Sequence, residues 1–184
     1  MVLTFWKNSP SRVKRVMTIA GFLFLSIIIT IAGVLTPLSS EEANTIGNEL
    51  DKTRKTIDSM PVMQQVSFIF GNNLMICLAA FVPIAGPVFE CYVLYSTGVV
   101  IAAGSITEGV NPLLVFLFLF IFPFAWLEFI AYSVALAESV WLTWRIIQRR
   151  FRSEIVTTCI FISICAVMLL LAAVIEIAII SLLR

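Results

Sequence analysis

The chain has 184 residues, 60% of them apolar and only 12% charged, with a formal net charge of +1 and no histidine. Its mean hydropathy is +1.05. A soluble domain carries about 45–50% apolar and about 25% charged residues, and a chain this short cannot hide such an excess from water. The composition excludes a soluble globular enzyme, a disordered chain and a nucleic-acid binder, and the missing histidine removes Ser-His and Cys-His catalysis with the commonest metal ligand.

Charge-free stretches mark where the chain is at home in lipid, since some 20 helical residues cross about 30 Å of hydrocarbon. Residues 16–38 carry no charge and form the first predicted span. Their length, and the lack of a small-x-small cleavage site, make them an uncleaved anchor. Residues 39–61 then set Lys52, Arg54 and Lys55 against Glu41, Glu42, Glu49, Asp51 and Asp58. Within them Ser39 and Glu42 have capping-box spacing, and Ala43, Ile46, Leu50, Ile57 and Met60 recur at helical intervals. This predicts an amphipathic helix over about 40–60, on the outer membrane face or against the bundle, serving as a cover or as a docking surface. Pro61 opens the second span, 62–83, which is uncharged but carries Gln64, Gln65, Asn72 and Asn73.

Pro83, Gly86 and Pro87 forbid a continuous helix and predict a tight hairpin into the third span, 88–106, which holds Glu90. Gly98 and Gly104, with Ala102 and Ala103 between them, supply small residues for close helix approach. The fourth span, 111–137, holds Glu128. The apolar stretch continues to 144, which as one helix would run about 50 Å, so it must kink or break at Pro123. Trp141 and Trp144 lead into Arg145, Arg149, Arg150 and Arg152, an aromatic belt and basic interface that mark topology and attract anionic lipid headgroups. The fifth span, 155–183, contains Glu176, read as snorkelling to the interface. Glu138 and Glu154 read as boundary charges. Cys77, Cys91, Cys159 and Cys165 all fall within apolar stretches and read as small hydrophobes.

These elements predict an all-α fold: a multi-pass transmembrane helical bundle of about five spans with one amphipathic extracytoplasmic helix, forming a single domain over 1–184. The runs are too continuous for the alternating strands of a barrel. Lys7, Arg12, Lys14 and Arg15 precede the first span, and the four arginines after Trp144 precede the fifth. Together they hold eight of the twelve basic residues. The positive-inside rule then places the N-terminus in the cytoplasm, the C-terminus with Arg184 outside, and the whole in the cytoplasmic membrane. A sixth or re-entrant segment within 111–144 would move that terminus.

Ionisable groups in lipid are costly and usually face a bundle interior or cavity. Asn72, Asn73, Glu90 and Glu128 are placed to meet as one polar cluster in the inner half of the membrane. Two readings stand. The cluster lines a path or pocket for a cation, a proton or a polar ligand, or it is neutral, hydrogen-bonded glue between helices. Catalytic sets are missing: no Asp lies in any span, and no phosphate-cradling glycine loop is present. The sequence therefore predicts no enzymatic activity, no cofactor and no metal. Its expected partners are the lipid bilayer, other membrane proteins or a second copy of the chain.

Three stretches resemble one family. Phe68-Ile69-Phe70-Gly71-Asn72-Asn73 is similar to its Phe/Ile-rich run ending in Asn. Gly86-Pro87, followed by Tyr95-Ser96-Thr97-Gly98 and Gly104, is similar to its glycine-punctuated hairpin. Phe122-Pro123-Phe124-Ala125-Trp126-Leu127-Glu128-Phe129-Ile130-Ala131 is similar to its Pro-His-Gly-x-x-Glu-x-x-Ala signature. Over roughly 40–145 the chain thus resembles the stage II sporulation protein M family of bacteria and archaea. Phe124 and Ala125 stand where His and Gly are usual, and Thr97 where Asn is usual, so a role that needs that His is not carried over. The family's namesake is a multi-pass protein that helps recruit peptidoglycan-degrading partners during engulfment. The resemblance implies an integral membrane protein with a structural or scaffold role. A transporter or channel component with a polar site around Glu90 and Glu128 is the alternative.

Overall fold

A computed structural model describes residues 11–149, 152 and 154–183, with side chains from 13 to 182. Lys7, Arg150 and Arg184, and the side chain of Arg12, lie outside the described residues. The described residues form seven helices: α1 (Ser11–Val34), α2 (Ser40–Asp58), α3 (Val62–Ala80), α4 (Ala85–Thr107), α5 (Pro112–Leu119), α6 (Pro123–Ile147) and α7 (Ile155–Leu183). Five of them, α1, α3, α4, α6 and α7, are long and apolar enough to cross a bilayer.

Local chemistry sets the boundaries. The first span ends at Val34, earlier than its charge-free stretch, because Pro37 disfavours helix in the residues before it. Thr36 then shares a hydrogen bond of 2.8 Å with the Tyr95 hydroxyl. The capping box forms: the Glu42 amide donates to Ser39 Oγ, and the Ser39 amide donates to Glu42 Oε2 at 2.9 Å. The Ser39 hydroxyl, donating to the same carboxylate at 2.7 Å, and the Ser39 amide together hold the Glu42 pKa below its ordinary value. Pro61 caps α3, where a missing N–H removes no helical bond.

The hairpin between α3 and α4 is a turn at Phe81–Ile84, with Gly86 donating to the Val82 carbonyl at 2.8 Å. Ile84 sits at φ 68°, a costly conformation for a β-branched residue. Two side chains of α6 hold it: Ser139 donates to the Val82 carbonyl at 2.8 Å, and Thr143 accepts from the Ile84 amide at 3.1 Å. Pro87 falls in the first turn of α4, so that helix starts three residues before the sequence expectation of 88. An added Cβ at Gly86 would clash with the Ala80 backbone, which is why the two helices turn so tightly there.

The stretch from 111 breaks rather than kinks. Asn111 caps α5 by accepting from the Leu113 amide at 2.9 Å, α5 ends after eight residues, and Pro123 opens α6. One carbonyl freed at the break, that of Phe120, accepts from Trp126 Nε1 at 2.9 Å. The Phe120 ring meets Phe116, Trp126 and Phe129 with centroids 5.1, 5.1 and 5.2 Å apart. The break is thus clamped by aromatic contacts.

α6 is the central helix. Residues Ala131 to Ser139 are buried without interruption, and α1, α3, α4 and α7 all pack on it. The most extensive helix pair is α1 with α4. It closes on glycines: an added Cβ at Gly98 would stand 2.8 Å from the Val34 nitrogen and 2.9 Å from the Gly33 Cα. Small residues let backbones touch, and van der Waals contact is what holds helices together in lipid. α2 lies across the opposite end of α4 from the hairpin, with Ala43 and Gly47 buried and Gly104 facing Leu50.

Candidate functional site

Two groups of polar side chains lie inside this bundle, at different heights along α6. In the first, Asn73 of α3 donates to Glu128 of α6 at 2.6 Å, so the two residues meet as the sequence suggested. Glu176 of α7 lies within electrostatic reach of Glu128. Asn72, one residue from Asn73, is turned about 100° around α3 and is exposed. The expected four-residue cluster is corrected at this position.

Glu90 is also set apart. It is 0% exposed, and neither carboxylate oxygen has a hydrogen-bond partner among the described residues. Its electrostatic neighbours are the thiols of Cys77 and Cys91 and the phenol of Tyr132. Tyr132, buried on α6 between the two acids, feels both Glu90 and Glu128. Cys77 and Cys165 are free, buried and in contact, with Cys165 donating to the Ala131 carbonyl at 3.5 Å. They pack as small apolar groups.

The second group was read in the sequence as boundary charge, and the structure overturns that reading. Glu138 is 0% exposed and Glu154 is 8% exposed. Arg15 of α1 reaches both, pairing with Glu154 directly and with Glu138 at 3.5 Å. Arg145 of α6 pairs with Glu154 at 3.0 Å. The Arg15 guanidinium lies 5.6 Å from the Trp141 ring centroid and 5.9 Å from that of Phe161. Two cations thus offset two acids where α1, α6 and α7 converge. A buried acid is tolerable only with such compensation. Glu138 lies nine residues before the end of α6, which as sequence looks like an interface. Only the packing of α1 over that turn reveals the burial. The one signal available beforehand was the basic residue Arg15 at a matching depth on another span.

Pro83, Gly86 and Pro87 build the hairpin, Gly98 and Gly104 make close contacts with α1 and α2, and Pro123 starts α6 after the break. Chemically, the arrangement can hold protons on buried carboxylates and bind helices together. Among the described residues, no group of three or more His, Cys, Asp or Glu side chains could hold a metal ion.

A family profile described as stage II sporulation protein M matches residues 17–180. Comparison with curated proteins and with solved structures returned no significant match. The profile match spans all five apolar helices and the polar residues between them, and so this multi-pass membrane protein belongs to the stage II sporulation protein M family.

Proposed function

We propose that the protein is a non-enzymatic scaffold or assembly factor of the cytoplasmic membrane, with α2 as its extracytoplasmic contact surface. One observation carries this reading. α2 is capped at its start and seated on α4 through Ala43 and Gly47, while Glu41, Glu49, Lys52 and Lys55 all point outward. A helix that only covered the bundle would need the buried seam but not a preformed, mixed-charge outer face. The pairing of Glu128 with Asn73 agrees with acids that join helices. The namesake's recruitment of envelope enzymes makes membrane and envelope proteins the natural partner class. Reversing the charges at Glu41, Glu49, Lys52 and Lys55 together tests this. The variant is expected to insert and fold normally and to lose the proteins that co-purify with wild type in mild detergent. No co-purifying protein, or an unchanged set in the variant, would end the scaffold reading.

A transporter or channel component is the second reading, favoured by the unpartnered Glu90. Proteoliposome flux compared among wild type, Glu90→Gln and Glu128→Gln separates the two. Flux in wild type that either variant abolishes supports transport, and absent or unchanged flux counts against it.

A further inference from the structure

The basic end of the bundle contains a cleft that neither reading uses. It lies between α1 and α6, encloses about 380 Å³, and is lined by Lys14, Thr18, Val140, Trp141 and Trp144. That volume falls in the ligand-sized range of roughly 300–1,000 Å³.

Its chemistry is divided. Val140 and the two tryptophans make an apolar wall. Lys14 brings a positive charge that forms no ion pair among the described residues. The neighbouring Arg15 cannot supply that charge to a ligand, because its own is taken up by Glu138 and Glu154. Arg149 and Arg152, exposed just past α6, add positive charge at the same end. The cleft thus lacks one anion with good acceptor oxygens, attached to something apolar and placed at the level of an aromatic belt.

We propose that this cleft binds the headgroup of an anionic glycerophospholipid. Lys14 pairs with the phosphate, and Trp141, Trp144 and Val140 pack against the start of the acyl chains. A free phosphate ion would satisfy the lysine but gain nothing from the apolar wall.

The test is native mass spectrometry of the full-length protein in mild detergent, titrated with phosphatidylglycerol or phosphatidylcholine. Wild type is expected to retain one phosphatidylglycerol in preference to phosphatidylcholine. Lys14→Gln should weaken that retention about fivefold, the effect of one basic residue beside an anionic leaflet. Lys14→Arg should keep it. Trp144→Ala removes an exposed part of the apolar wall and should weaken retention as well. Lys52→Gln, on α2, should change nothing. Thermal unfolding of each variant checks that it folds. Equal retention of the two lipids would overturn the proposal. So would wild-type retention in either Lys14→Gln or Trp144→Ala, or displacement of the lipid by millimolar inorganic phosphate.

Discussion

Alanine at position 98 would put a methyl group where α1 and α4 already touch. The added Cβ would stand 2.8 Å from the Val34 nitrogen and 2.9 Å from the Gly33 Cα, and closer still to the Thr30 carbonyl oxygen. All three obstacles are backbone atoms, so no rotamer change gives relief. To reach an ordinary contact of 3.4 Å the helices must separate by more than half an ångström. That separation loosens the most extensive helix pair in the bundle. Overpacking typically costs about 1–3 kcal/mol, and rigid obstacles put Gly98→Ala in the upper part of that range, about 2–3 kcal/mol. Gly71→Ala is the matched control. An added Cβ there meets nothing within 4 Å, and alanine is the better helix former by up to ~1 kcal/mol. Unfolding in mixed micelles by titration with sodium dodecyl sulfate, followed by tryptophan fluorescence, measures both. Gly98→Ala should unfold at a clearly lower detergent fraction, and Gly71→Ala at the wild-type fraction or above. Gly98→Ala unfolding together with wild type would refute the reasoning, since no close backbone seam would then exist.

Three further outcomes are expected. Arg15→Met should destabilise by about 3–5 kcal/mol in the same assay, because it strands the buried Glu138 and leaves Glu154 with Arg145 alone. Adding Glu138→Gln should recover part of the loss, and a mild effect of Arg15→Met alone would contradict a buried network. A double-mutant cycle of Asn73→Ala and Glu128→Gln should give a coupling of about 0.6 to 1.7 kcal/mol, the range for hydrogen bonds between membrane helices; zero coupling would remove the pair. The capping box should respond to pH in a set direction. Glu42 has a lowered pKa in the folded state, so its contribution is full above its unfolded value of about 4.3 and is lost as pH falls through the lower folded value. Carboxyl titration by NMR should place Glu42 below that value, and Ser39→Ala, which removes the hydroxyl donor but keeps the backbone amide, should bring it part of the way back.

What the sequence revealed, and what it concealed, divides along the reach of the forces involved. Span positions depend on local hydropathy, so the five apolar helices were legible. Ser39 and Glu42 announce a cap through a three-residue spacing that needs no tertiary context, and α2 begins where that spacing puts it. Pro83 and Pro87 forecast the hairpin because they act on their own backbone. The break after α5 was foreseen as one of two outcomes, but its aromatic clamp through Phe120 depends on ring packing. Side-chain partners across helices were harder. Asn73 and Glu128 meet, yet Asn72 faces outward and Glu90 finds no hydrogen-bond partner among the described residues, because helix rotation decides both and hydropathy does not fix it. Gly33 drew no notice in a span full of small residues, since its importance lies in the Gly98 opposite. The Arg15 network was missed for a related reason. Charges near span ends satisfy the positive-inside rule whether they face water or one another.

Position 52 lies on α2 and position 148 follows α6, with the apolar helices α3, α4 and α6 between them, and three crossings are expected to put the two residues on opposite faces of the membrane. Cysteines placed at Lys52 and at Gln148 can be probed in intact cells with a membrane-impermeant maleimide, with wild type as the background. Lys52→Cys should label directly, and Gln148→Cys only after the cells are permeabilised. Equal labelling of both from outside would contradict a bundle that crosses the bilayer in this order.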